Sequence, residues 1–303
     1  MNDFLEVSRI ESADLQASDR SVRLIGLWLR GKSPSTVEAY ARDIRNFIEH
    51  VRLPIDEVQL HHVWSWVDSL EARGLSIASR ARKLAALKSL FSFGHRVGYL
   101  PFNVGAAAQL PNIPDLLAER ILAEEEISDL LAGAQSPRDA VILRLFYASG
   151  ARVSELAALK WSGVTQRRIR GGTSAGQIML VGKGSKSRSV LVSTDTWKVL
   201  SDFHEGERSA GFGSPSDAVF RSSRGGHLTR QTLWRAVKKA ARAAGVNELV
   251  SPHWLRHAHA SHALDHGAPT HLVKETLGHK SLATTSRYTH ARPDDSSGRY
   301  LPI

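Results

Sequence analysis

The chain contains no cysteine and only two methionines. Disulfides, thiolate metal sites and cysteine nucleophiles are therefore excluded, which fits a reducing compartment. No apolar run approaches the ~18–20 residues needed to cross a bilayer. The opening stretch, MNDFLEVSRIESADLQ, is polar and acidic and lacks the apolar centre of a secretory signal. These absences predict a soluble, cytoplasmic protein without a membrane partner. Two motifs are also missing: GxxxxGK[ST], which cradles nucleotide phosphates, and HExxH, which holds catalytic zinc. Acidic residues are scarce relative to basic ones. The chain has 30 Asp and Glu against 40 Lys and Arg, for a net charge of +10. An excess of that size favours a polyanionic partner, a nucleic acid above all.

Hydrophobic residues make up 42% of the 303 positions, enough for two domains with cores of their own. Apolar residues recur at helical spacing through Asp19–Arg30, through SPSTVEAYARDIRNFIEHV (Val37, Tyr40, Ile44, Phe47, Ile48), through His61–Arg73 and through Ser76–Val97. Gly74 and Gly98 stand where the last two should stop. YLPFNVGAAAQLPNIP, from Tyr99 to Pro114, has three prolines and almost no charge, as a linker would. Helical patterns return in ILAEEEISDLLAGA, DAVILRLFYASGA and VSELAALKW. QIMLV and SVLVS then read as short strands flanking GKGSKSR, and helices follow them. The expected architecture is mainly α with a small β-sheet: a helical N-terminal domain over 1–112 and a larger C-terminal domain over 113–303.

The segment SPHWLRHAHASHALDHGAPTHLVKETLGHKSLATTSRYTH, residues 251–290, is dense in histidine. Zinc is one explanation for it. His257, His259 and His262 share part of a helix face, but no carboxylate lies at ligand spacing within that turn and no cysteine exists, so a metal is not expected. A helical hairpin that buries its tyrosine is a second explanation. Phosphate handling is a third. His253 precedes Arg256 by one helical turn, Pro252 suits the first turn of a helix, and a helix N-terminus favours an anion. Two tight turns, at Gly267 and Gly278, could bring His253, Arg256, His279 and Tyr288 together. Upstream, Gly150 interrupts a helix, Arg152 begins the next, and Glu155 stands one turn on, where it can orient the guanidinium. Lys183 sits in a glycine-flanked turn between the two strands, able to reach into a groove.

Arg152 in GARVSEL, Lys183 in GKGSKSR, His253 and Arg256 in HWLRH, His279 in LGH and Tyr288 in SRYTH, in that order, resemble the six active-site positions of the tyrosine recombinases, in their Xer and phage-integrase branch. SPSTVEAYARDIRNFIEHV and KLAALKSLFSFGHRVGYLPFNV resemble that family's core-binding domain. The resemblance implies a SAM-like core-binding domain and an α/β catalytic domain forming a C-shaped clamp around DNA. It implies a site-specific DNA recombinase that cleaves through a 3′-phosphotyrosyl intermediate and exchanges strands via a Holliday junction. In that reaction Tyr288 would be the nucleophile, Arg152 and Arg256 would clamp the non-bridging oxygens, His253 would take the tyrosine proton, His279 would bond the phosphate and Lys183 would protonate the leaving oxygen. The covalent link keeps the ester energy, so no cofactor is implied. The implied partners are duplex DNA bearing a recombination site and a synaptic tetramer, of this chain alone or with a paralogue.

Two basic sets are candidate DNA contacts: Arg80, Arg82, Lys83 and Lys88, and then Arg230, Arg235, Lys238, Lys239 and Arg242. The tail, THARPDDSSGRYLPI, departs from the Xer pattern of a longer charged helix. Asp294 or Asp295 could cap a short helix that docks Tyr300 and Leu301 on a neighbouring protomer. Two other readings share parts of this pattern. Relaxation of site-free plasmid would mark a type IB topoisomerase-like enzyme, and activity indifferent to Tyr288→Phe would mark a non-catalytic DNA-binding protein.

Overall fold

The computed structural model describes residues 19–168, 174–182, 186–279 and 281–289. Lys183 and the tail beyond Thr289 lie outside these residues. The chain divides after Pro114 into two compact units. Among the described residues no helix is long and apolar enough to cross a membrane.

The first unit is helical: α1 (Asp19–Leu29), α2 (Pro34–Val51), α3 (Leu60–Ala72), α4 (Ile77–Arg96) and the single turn α5 (Val104–Ala107). α2 starts with a proline in its first turn, where a missing N–H costs nothing. Ser76 caps α4 by accepting the Ser79 N–H. The inner faces of these helices meet in one core in which Phe47 packs edge-on against Trp66 and Phe91. The proline-rich stretch after α4 is less of a free linker than its composition suggests. Leu100 and Ala108 are buried in that core, and a Cβ on Gly105 would come 3.0 Å from the Lys88 backbone. α5 therefore lies flat on α4.

The second unit holds α6 (Glu124–Ala132), α7 (Pro137–Ser149), α8 (Val153–Ala157), the strands β1 (Val164–Arg168), β2 (Ser174–Val181) and β3 (Ser187–Val192), then α9 (Thr194–Ser209), α10 (Arg230–Ala243), α11 (Pro252–Asp265), α12 (Thr270–Leu277) and α13 (Leu282–Thr289). The sheet is antiparallel in the order β1-β2-β3, with Ile178 opposite both Val164 and Val190. β2 and β3 are the strands expected from their apolar runs. β1 was not anticipated: VTQRR is an edge strand whose side chains are mostly exposed, so it lacks apolar alternation. The core of the unit is built around α7, whose Val141, Ile142, Leu145 and Phe146 are buried against α9, α10 and α11.

Candidate active site

Where α7 ends, Gly150 takes a left-handed conformation (φ 56°). A Cβ there would also lie 2.4 Å from Leu277 Cδ2 and 3.0 Å from the His259 ring, so the position requires glycine twice over. This break turns the chain so that Arg152 becomes the N-cap of α8. Its backbone N–H and its guanidinium donate to the two oxygens of Glu155, at 2.8 and 2.9 Å. Glu155 is therefore the orienting group that its spacing suggested.

The C-terminus of α12 organises the rest. A helix end leaves its last carbonyls without intrahelical partners and carries partial negative charge. Here three successive carbonyls each accept from a different arginine. Arg188 Nε donates to Thr276 O at 2.6 Å, Arg256 to Leu277 O at 2.7 Å and Arg152 to Gly278 O at 3.4 Å. Arg256 also donates to Gly150 O, so this buried guanidinium joins the ends of α7 and α12. Burial and the nearby Arg152 and Arg188 charges lower it to about 10, still protonated at neutral pH.

Arg188 closes the arrangement from β3. It donates to both Glu155 oxygens at 2.8 and 2.7 Å, so one carboxylate serves two guanidiniums. Burial works against ionising Glu155, but bonds from Arg188 and Arg152 prevail and bring it down to about 2. The sequence reading passed over Arg188. Its signal lies in strand alternation: it shares the inward face with the buried Val190 and Val192, where an unpaired charge would be costly.

Gly278, left-handed at φ 63°, then delivers His279 beside these arginines. Partial burial and the Arg256, Arg152 and Arg188 charges lower its imidazole to about 4. It is neutral at physiological pH. Nδ1 pairs with the buried Thr285 hydroxyl at 2.9 Å, and with Thr285 donating, the ring proton sits on Nε2. Tyr288 on α13 is 5% exposed and packs with Ala260, Leu264, Val273 and Leu277. Its ring lies parallel to that of His279 at 6.4 Å. Its hydroxyl pairs at 2.8 Å with Nδ1 of His257. His253, exposed in the first turn of α11, places its ring edge-on to His257 at 4.8 Å. Partial desolvation and the Arg256, Arg152 and Arg120 charges hold its pKa below the usual histidine range.

The structure thus gathers Arg152, Arg256, His279 and Tyr288 around the end of α12, with His253 above His257. Between β2 and β3, Gly182 N–H donates to Lys186 O at 2.8 Å. Three other histidines of the segment have structural partners. His259 donates from Nδ1 to Tyr147 O at 2.7 Å, His262 pairs with the Tyr147 hydroxyl at 2.9 Å, and His266 meets Glu124 at 3.1 Å. Burial, the largest cause, lowers His259 to about 4. A histidine held neutral in the fold takes up its proton more readily when unfolded, so stability rises with pH across that window. Unfolding free energy should therefore fall as pH drops from about 6.5 toward 4, by about 3 kcal/mol for this group. His259→Asn, which keeps a donor for Tyr147 O, should flatten that part of the pH dependence in urea melts.

The basic sets differ in their surroundings. On α4, Arg82 and Lys83 both bond the buried Asp43, Arg80 pairs with Glu71 at 2.5 Å, and Lys88 donates to the Ala106 and Ala108 carbonyls. These four cations thus have internal partners, which their helical spacing did not reveal. On α10, Arg230, Arg235, Lys239 and Arg242 are exposed. Lys238 lies over the Trp234 ring and donates to Glu248 O.

Comparisons with known proteins cover nearly the whole chain. Residues 120–294 match the family described as "Phage integrase family", and residues 24–98 match "Phage integrase, N-terminal SAM-like domain". The tyrosine recombinase XerD of Vibrio cholerae is 34% identical over 275 residues, 87% of this chain and 88% of that protein. XerD of Pseudomonas aeruginosa is 33% identical over 297 residues, covering 92% of this chain and 95% of that protein. The fold is shared with the XerH recombinase bound to its difH substrate (TM-score 0.68, 20% identity, 95% of this chain and 93% of that one). It is also shared with a lambda integrase tetramer bound to a Holliday junction (TM-score 0.71, 18% identity, 96% and 82%).

Proposed function

The chain belongs to the phage integrase family, and from that premise we propose that it is a site-specific tyrosine recombinase that cleaves and rejoins duplex DNA through a 3′-phosphotyrosyl intermediate. One observation carries the reading: the end of α12 draws Arg152, Arg256 and His279 to the side of Tyr288. A phosphodiester is anionic, and attack on it builds further charge on the non-bridging oxygens. The Arg152 and Arg256 guanidiniums hold those oxygens. His279, kept neutral, donates from Nε2 without adding a competing titration. Tyr288 attacks the phosphorus, and Lys183 of the GKGSKSR segment protonates the departing 5′-oxygen. The 5′-hydroxyl of a partner strand then reverses the step, and strands are exchanged through a Holliday junction. Four protomers, of this chain alone or with a paralogue, hold two sites in synapsis. The setting is the cytoplasm, where the chromosome is accessible.

The test is capture of protein covalently joined to sheared host DNA under denaturing conditions, followed by sequencing of the attached DNA. Adducts concentrated on one short sequence support the reading and supply the site.

Binding should draw on the exposed cations of α10. Replacing Arg235 and Lys239 by Gln should weaken binding to specific and random duplexes alike. Each lost phosphate contact should reduce the slope of log affinity against log salt by ~0.9. Gel shifts across a salt series measure this, and an unchanged slope would remove these two residues from the interface.

A further inference from the structure

Within the reading of Tyr288 as nucleophile, we propose that His257, rather than His253, is the immediate acceptor of the tyrosine proton. Three observations lead there. The Tyr288 hydroxyl pairs with His257 Nδ1 at 2.8 Å. The tyrosine is 5% exposed, so its proton reaches solvent through a protein group rather than directly into bulk water. The His257 ring in turn meets His253, exposed in the first turn of α11, at 4.8 Å between centroids. The His257 ring thus neighbours both the buried phenol, at 5.7 Å between centroids, and the exposed His253. The helix makes this possible: 253 and 257 are four residues apart, on one face of α11, and Arg256 lies beside them.

The step balances. As Tyr288 Oη forms its bond to phosphorus, its proton moves to His257 Nδ1, and the bond from phosphorus to the 5′-oxygen breaks. That oxygen takes a proton from Lys183, the acid of the proposed reaction. In religation the imidazolium returns the proton to the departing phenolate. A phenol is a much weaker acid than an imidazolium, so transfer accompanies bond formation. His253 is then free to hold the phosphate.

Small imidazoles test the assignment. The probe is the duplex recovered by adduct sequencing, nicked beside the cleavage point so that the freed fragment leaves and one turnover is read. His257→Ala should bind this duplex as wild type does and cleave it at least ~10²-fold more slowly. Imidazole and its methyl derivatives should restore cleavage, with rates that rise with their basicity. His253→Ala should show no such dependence. His257→Asn, which keeps an acceptor near the Nδ1 position but cannot be protonated, should stay slow. The proposal is overturned if His257→Ala cleaves at the wild-type rate, if rescue ignores basicity, or if the asparagine variant is fully active, which would make His257 a positioning residue. A wild type that forms no adduct at all would instead overturn the role of Tyr288 itself.

Discussion

Tyr288→Phe is expected to abolish covalent adducts on DNA while leaving the protein folded and able to bind. The phenyl ring would keep its place among Ala260, Leu264, Val273 and Leu277 and its parallel contact with His279. The hydroxyl and its bond to His257 disappear, at a cost of about 1 kcal/mol. Chemistry has no such fallback, because the oxygen that would bond to phosphorus is gone. Wild type and variant should be compared side by side by adduct capture and by gel shift. Adducts from wild type alone, concentrated at one sequence, are the expected result. Adducts from wild type scattered over the genome would favour a topoisomerase-like activity. Adducts persisting in the variant would mean that another residue is the nucleophile.

The second large effect concerns Glu155. Its carboxylate is 2% exposed and binds both Arg188 and Arg152. With its pKa brought down from 4.5 to about 2, ionisation is worth about 3 kcal/mol at neutral pH. Because the folded-state pKa is depressed, that contribution is complete above the unfolded value near 4.5 and is lost as pH falls toward 2. Glu155→Ala would leave Arg188 and Arg152 facing each other with Arg256 beside them. Removing one partner of a buried pair costs about 3–5 kcal/mol. Urea denaturation should show that loss in the second unit, and DNA cleavage should be lost with it as the arginines separate. The double variant Glu155→Gln with Arg188→Met should unfold at higher urea than Glu155→Ala, since it leaves no buried arginine opposite a missing carboxylate. Equal or lower stability in the double variant would show that the Arg188 charge is held by something other than Glu155.

Much of this protein was legible in one dimension because the relevant signals are local. Helical spacing located the long helices, and apolar runs located β2 and β3. The motifs around Arg152, His253, Arg256, His279 and Tyr288 marked residues that the fold does bring together. Turn-forming Gly150 and Gly278 stood where left-handed backbone is required. What was hidden depends on partners far apart in the chain. Arg188 meets Glu155 across 33 positions, and Arg82 meets Asp43 across 39. The convergence of three arginines on successive carbonyls of α12 involves backbone groups that any sequence possesses, so no residue type announces it. Nor does composition tell which of several histidines takes the tyrosine hydroxyl and which hold structure. Residue identity and short-range periodicity are written along the chain. The pairing of buried charges and the sharing of a ring nitrogen arise only when packing brings distant segments to within 3 Å and excludes the water that would otherwise satisfy each group.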